Sequence, residues 1–193
     1  MKVKPINCTG QLIVILSLLI SISSKCFSQS IKPGSLDYLK SSNGFNGIIL
    51  GSNIGLLSMN DLSYLDDNGY YDADSCILYE YKNYNILRID NDLSFRALAI
   101  KVYKNKIVDI YIFFNRPEGF KVLSKFLAKY GQFTDRPNDY LDIYNWNCSK
   151  VKLSLKYQLD LDLGIAVFTC KSIEQEIEMK RKKQLQQVLL TNN

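Results

Sequence analysis

The chain has 193 residues, with 24 lysines and arginines against 19 aspartates and glutamates, and no histidine. Lack of imidazole excludes Ser/His/Asp and Cys/His nucleophile–base pairs and every histidine-ligated metal site. The length suits one domain with a real core, and a formal charge of +5 is too small for the electrostatic footprint of nucleic-acid binding.

Lys2 and Lys4 precede a mainly apolar run at 12–22. That is about three helical turns, whereas a spanning helix needs roughly 20 apolar residues. Ser21, Ser23, Ser24 and Lys25 arrive too early for a membrane anchor and match an export signal instead. Cleavage is expected after Ser28, with Cys26 two residues upstream, leaving a periplasmic or secreted protein without a transmembrane segment. A lipid on Cys26 would require a small residue before it, where Lys25 stands. Removing Lys2, Lys4 and Lys25 lowers the formal charge from +5 to +2. Cys8 and Cys26 leave with the signal, so Cys76, Cys148 and Cys170 are the disulfide candidates. Two of them can pair in an oxidising compartment; the alternative is three buried thiols packed as small hydrophobes.

The expected organisation is a signal peptide at 1–28, a flexible leader at 29–46, a single domain at 47–171 and a C-terminal helix or tail at 172–193. The leader is rich in Ser, Gly, Asn and Lys, with one helical turn expected around 36–40. NGIILGSNIG at 46–55 reads as a short buried strand at 48–50 closed by a glycine turn, since neither Gly-Lys-Ser/Thr nor GxGxxG is present. Residues 61–75 hold five aspartates. An EF-hand register puts Tyr64 first and Ser75 last, where Asp and Glu belong, so a solvated acidic turn on Asn68 and Gly69 is expected and no metal ligand is assigned.

Residues 76–90 form two β-rich runs around Lys82 and Asn83, and 96–114 form a hairpin. Leu98, Ile100 and Val102 share one face of its first strand; Val108, Ile110, Ile112 and Phe114 share one face of its second. An even offset, with Val102 opposite Val108 across a 104–106 loop, puts both sets on one side. Lys101, Tyr103, Asp109 and Tyr111 then face the other way. The next segment is the one strong amphipathic helix, about 117–130. Phe120, Leu123, Leu127 and Tyr130 form its apolar stripe, Val122 and Phe126 widen it, and Lys121, Lys125 and Lys129 line the outer face. Pro117 suits the first turn and Gly131 the C-cap. Three more strands follow in 140–170. From 151 to 163 odd positions are apolar and even ones polar, the mark of a sheet with one dry face and one wet. Asp160 and Asp162 fall in the polar register at a hairpin tip. In the tail, Ser172 and Gln175 form a capping box and Glu176–Lys180 and Glu178–Lys182 are i, i+4 pairs. Its thin apolar stripe predicts a helix that packs only partly, and its basic run at 180–183 reads as a solvated face.

The fold class is therefore α+β: a mostly antiparallel sheet of hairpins, one amphipathic helix packed on one face, and a charged C-terminal helix. The other face is expected to be wet and rich in tyrosine. Tyr79, Tyr81, Tyr103, Tyr111, Tyr144 and Trp146 lie on the strands and are the candidate ligand-binding residues, because rigid amphipathic rings give contact area at low entropy cost. The functional expectation is an exported, non-catalytic binding module for a protein or carbohydrate, with no catalytic residue and no cofactor assigned. A secreted carboxylate enzyme of glycosidase type and an envelope structural or accessory protein are the alternatives.

Overall fold

The computed structural model describes residues 31–65, 76–83, 85–90, 93–138, 140–157 and 162–191. The expected export segment, the acidic turn on Asn68 and Gly69, and Asp160 lie outside them. From Lys32 onward the chain forms one compact unit.

The segment read as a leader folds into α1, Leu36–Ser42. Ser35 caps it by accepting from the Tyr38 N–H, and Asn43 closes it in the left-handed conformation, its N–H donating to Leu39 O at 3.0 Å. Leu39 is wholly buried. A small ribbon follows, β1 (Gly44–Phe45) paired with β2 (Ile48–Ile49), and it buries Phe45 and Ile48. Burial of Ile48 is as expected, whereas the polar composition around Leu39 and Phe45 hides that they too belong to the core.

The main sheet draws on β3 (Leu62–Tyr64), β4 (Cys76–Tyr81), β7 (Ala97–Tyr103), β8 (Lys106–Asn115), β9 (Ile143–Asn147), β10 (Val151–Tyr157) and β11 (Leu163–Cys170). The short β5 (Arg88–Asp90) and β6 (Leu93–Ser94) pair separately. The seven strands are ordered β3-β4-β7-β8-β11-β10-β9, and every pairing is antiparallel. The fold is thus the α+β sheet of hairpins that the sequence predicts.

The β7–β8 register is the predicted one away from the turn, with Ile100 opposite Ile110 and Leu98 opposite Ile112. Near the turn it differs. Tyr103 pairs with Lys106 and Val102 with Ile107, so the connection is a two-residue turn of Lys104 and Asn105, both at positive φ. Such a primed turn matches the twist of the strands. The register shift between Lys101 and Val102 then restores the even offset. Ile107 takes the inward place expected for Val108.

α2, Gly119–Tyr130, covers the inner face, preceded by a 3₁₀ turn at Arg116–Glu118 that contains Pro117. Its buried side is Gly119, Val122, Leu123, Phe126 and Tyr130. Phe120 is 77% exposed, a correction to the predicted stripe: at 100° per residue it lies a quarter-turn from Gly119, on the flank of the contact. Phe126 meets Trp146 and Phe168 edge-on, with ring centroids 6.1 and 6.0 Å apart. Gly131 follows at positive φ, its N–H bonded to Leu127 O. Gly34 N–H in turn bonds Lys129 O at 2.9 Å, which ties the α1 segment to the end of α2.

α3, Lys171–Thr191, begins one residue before Ser172, so that serine lies inside the helix and not at its cap. Only its first turns are anchored, through buried Ile173 and Ile177, while Met179, Leu185, Val188 and Leu189 stand exposed. No described helix is long and apolar enough to cross a membrane.

Candidate functional site

Strand parity decides where each candidate residue goes. On β4 and β9 the positions of Tyr79, Tyr81, Tyr144 and Trp146 have the inward parity of Ile100, Leu98, Leu155 and Leu153, as the pairs Tyr79 with Ile100, Tyr144 with Leu155 and Trp146 with Leu153 show. Tyr81 and Tyr144 are buried and Trp146 is wholly so, its Nε1–H donating to Gly131 O at 2.7 Å. Tyr79 packs half-buried against the core and meets Tyr64 edge-on. The expected exposed cluster of six aromatics is therefore corrected: four point to the side that α2, α1 and the ribbon fill. Tyr103 has outward parity but is buried beside α3, with Lys180 Nζ 5.8 Å from its ring centre. Tyr111 alone of the six lines the trough described next.

That outer face is also less polar than expected. Reading across the sheet, Phe113 pairs with Ala97 and Ile165, Tyr111 with Ala99 and Val167, and Asp109 with Lys101 and Thr169. Leu78 stands opposite Lys101 and Glu80 opposite Ala99. Lys152, Ser154 and Lys156 keep the polar parity predicted for β10, but β8 and β11 present large apolar side chains on the same surface. Beside them, between β8 and the Leu78 wall of β4, β7 presents Ala97 and Ala99. A strand of small residues flanked by rings and leucine leaves a trough, here about 230 Å³, floored by Ala99 and walled by Leu78, Tyr111, Phe113 and Ile165. Cys76 and Ile77 close one side, and Lys101 stands at the end nearest α3.

The polar end of the trough is tied down. Tyr111 donates its hydroxyl to Asp109 Oδ2 at 3.0 Å, and Lys101 Nζ lies 3.9 Å from the same oxygen. A smaller crevice of about 100 Å³ follows, where Asp109 and Lys101 meet Glu174, Glu178 and Arg181 of α3. Burial, reinforced by Asp109 and Glu178 and opposed by Lys152 and Lys101, holds the Glu174 carboxyl above the usual range. Asp109, from a strand, and Glu174 and Glu178, from a helix, are the carboxylates brought together in this crevice. They sit among cations and a tyrosine, not across an open cleft. On the far side of the sheet, burial lowers the Lys129 pKa, and its Nζ lies 5.5 Å from the Phe45 ring centre and 5.6 Å from that of Tyr130.

No disulfide joins the three candidate cysteines. The Cys148 thiol donates to Val151 O at 3.2 Å, Cys170 is buried with its sulfur 3.5 Å from Ser172 Oγ, and Cys76 borders the trough.

The trough could not be read from RALAIKV, because its two alanines become a feature only when the register sets them between Phe113, Tyr111 and Leu78. The chain matches no protein-family model, and no curated protein or solved structure matches it.

Proposed function

We propose that the protein is an exported, non-catalytic binding module that holds an apolar group of its ligand in the Ala99 trough. The observation that carries this reading is an outer sheet face with a concave apolar floor where exposed sheet faces are ordinarily polar. Its volume, 230 Å³, exceeds the ~150 Å³ cavity that accommodates benzene and falls below the roughly 300–1,000 Å³ of drug-sized pockets. The ligand therefore inserts one ring or one branched aliphatic group and keeps the rest outside. Export is inferred from Lys2, Lys4, the apolar run at 12–22 and the serines that follow.

The test is titration of the mature chain with benzyl alcohol and with indole, followed by NMR shifts of the Ala99 and Ala97 methyls, in the parent and in Ala99→Phe. The expected result is saturable shifts at Ala99, abolished by the filled trough while circular dichroism stays unchanged. Saturation that Ala99→Phe leaves intact, or shifts confined to other methyls, would overturn the assignment. Export is checked separately by intact mass of material recovered outside the cytoplasm: a chain starting at Gln29 supports it, and one starting at Met1 refutes it.

A further inference from the structure

A second concave surface lies between the β7–β8 turn and α3, distinct from the trough. It encloses about 450 Å³ and is lined by Lys104 from the turn, Lys180 and Lys183 from α3, and Glu176, Met179 and Tyr103. Seventy-six residues of chain separate Lys104 from Lys180, so the basic run at 180–183 shows only half of this feature in sequence. Glu176 is its one acid among the described residues. Lys104 Nζ holds that carboxylate at 2.8 Å, and the lining as a whole carries a formal excess of two positive charges, three lysines against one glutamate. Lys104 and Lys180 both stand over the Tyr103 ring, at 5.1 and 5.8 Å from its centre. Lysines brought from two elements to one ring, with a single carboxylate among the lining groups, give a positive surface already in place for an arriving carboxylate.

We propose that this cleft docks an acidic segment of a partner protein, with carboxylates on Lys180 and Lys183 and an apolar side chain against Met179 and Tyr103. Charge complementarity sets the sign of the partner. Its shape and its mixed lining set the class: a recess between a turn and a helix admits an extended chain, whereas a flat bilayer meets only its rims. An excess of two charges is also far below what a nucleic-acid backbone requires. Because Lys183 is exposed and Lys180 only half-buried at the cleft rim, binding weakens with salt.

The experiment uses the full mature chain and a fluorescein-labelled peptide of alternating Glu and Leu, read by anisotropy at about 20 and about 200 mM salt. Controls are the matching Gln/Leu peptide, heparin, and vesicles of anionic phospholipid. Expected results are saturable binding of the Glu peptide alone, weakened at the higher salt. The pair Lys180→Glu and Lys183→Glu should reduce it at least about tenfold, whereas the pair Lys152→Glu and Lys156→Glu, on the trough face, should leave it unchanged. Lys152, Lys156 and Lys183 are exposed and Lys180 is half-buried, and circular dichroism confirms that both variants are folded before binding is compared. Equal loss in both variants, equal binding of the Gln peptide, or binding of heparin or vesicles without the peptide would overturn the proposal. Its failure leaves the trough titration unaffected, since the two surfaces share no lining residue.

Discussion

α3 is divided by its contacts into an anchored start and a projecting end, and the division is measurable. Ile173 and Ile177 are 7% and 5% exposed. Truncating a buried isoleucine to alanine removes three methyl or methylene groups and leaves a void, at about 2–5 kcal/mol. A helix at the rim of a sheet can settle into part of that void, so the expected value for either single substitution is ~2–3 kcal/mol. The two residues are one turn apart and share neighbours, so the double variant should lose less than the sum, about 3–5 kcal/mol. Leu185 and Leu189, 64% and 67% exposed, should cost under ~0.5 kcal/mol each when changed to alanine. Urea unfolding followed by far-UV circular dichroism separates the cases. With m near 2 kcal/mol per molar, the Ile177→Ala midpoint falls by roughly 1 M, while that of Leu185→Ala hardly moves. Equal midpoint shifts for the two positions, or less than about 0.5 kcal/mol for Ile177→Ala, would refute the claim that the helix start belongs to the core and its end does not.

Two further outcomes follow from the same geometry. Gly131 holds φ 77°, and a Cβ there would come within 2.7 Å of Gly34 O and 3.2 Å of Ser35 Cα, all backbone. Gly131→Ala should therefore destabilise by about 1–3 kcal/mol, whereas a freely moving 29–46 segment would yield to the methyl at little cost; thermal unfolding decides. Glu174 is an acid whose folded pKa lies above its unfolded value, chiefly through burial. The folded state then binds its proton more tightly, so this group's contribution to stability is greatest below the unfolded pKa and is lost as pH rises through the folded one. Glu174→Gln should match the parent at about pH 3.5 and be the more stable at about pH 7; a loss of stability at the higher pH would reverse the sign.

The hairpin register was legible because apolar residues on both strands had to share a side, a constraint that survives any local change of turn. The turn itself was not, because Lys-Asn lacks the glycine that marks a primed turn, although both residues adopt positive φ. Phe120 misled for a related reason. It is large and apolar, yet the buried side of α2 runs through Gly119, Val122, Leu123, Phe126 and Tyr130, and a glycine draws no attention in a hydrophobicity count. Phe45 went unread because it stands alone among Ser, Asn and Gly, and Leu39 because the one turn at 36–40 falls in a stretch that reads as a flexible leader. For the aromatics, strand location was read correctly, but which face they took depended on pairing with Ile100 and Leu153.

Sequence could not reveal the trough because β7 carries two messages in alternate letters. Leu98, Ile100 and Val102 face inward and are almost completely buried. They belong to the hydrophobic core, and their size is what a pattern search detects. Ala97, Ala99 and Lys101 occupy the intervening places, where the informative property is absence of bulk relative to Phe113, Tyr111 and Leu78 on the neighbouring strands. Absence of bulk carries no periodic signal, and its meaning depends on residues outside the strand. The arrangement also separates two kinds of constraint along one segment. Inward positions answer to packing, so changing them costs stability at any ligand concentration. Among the outward positions Ala99 lines the trough, so enlarging it fills that space and is expected to act on binding first. A binding surface built on one parity of a central strand can therefore vary in shape while the other parity keeps the sheet intact.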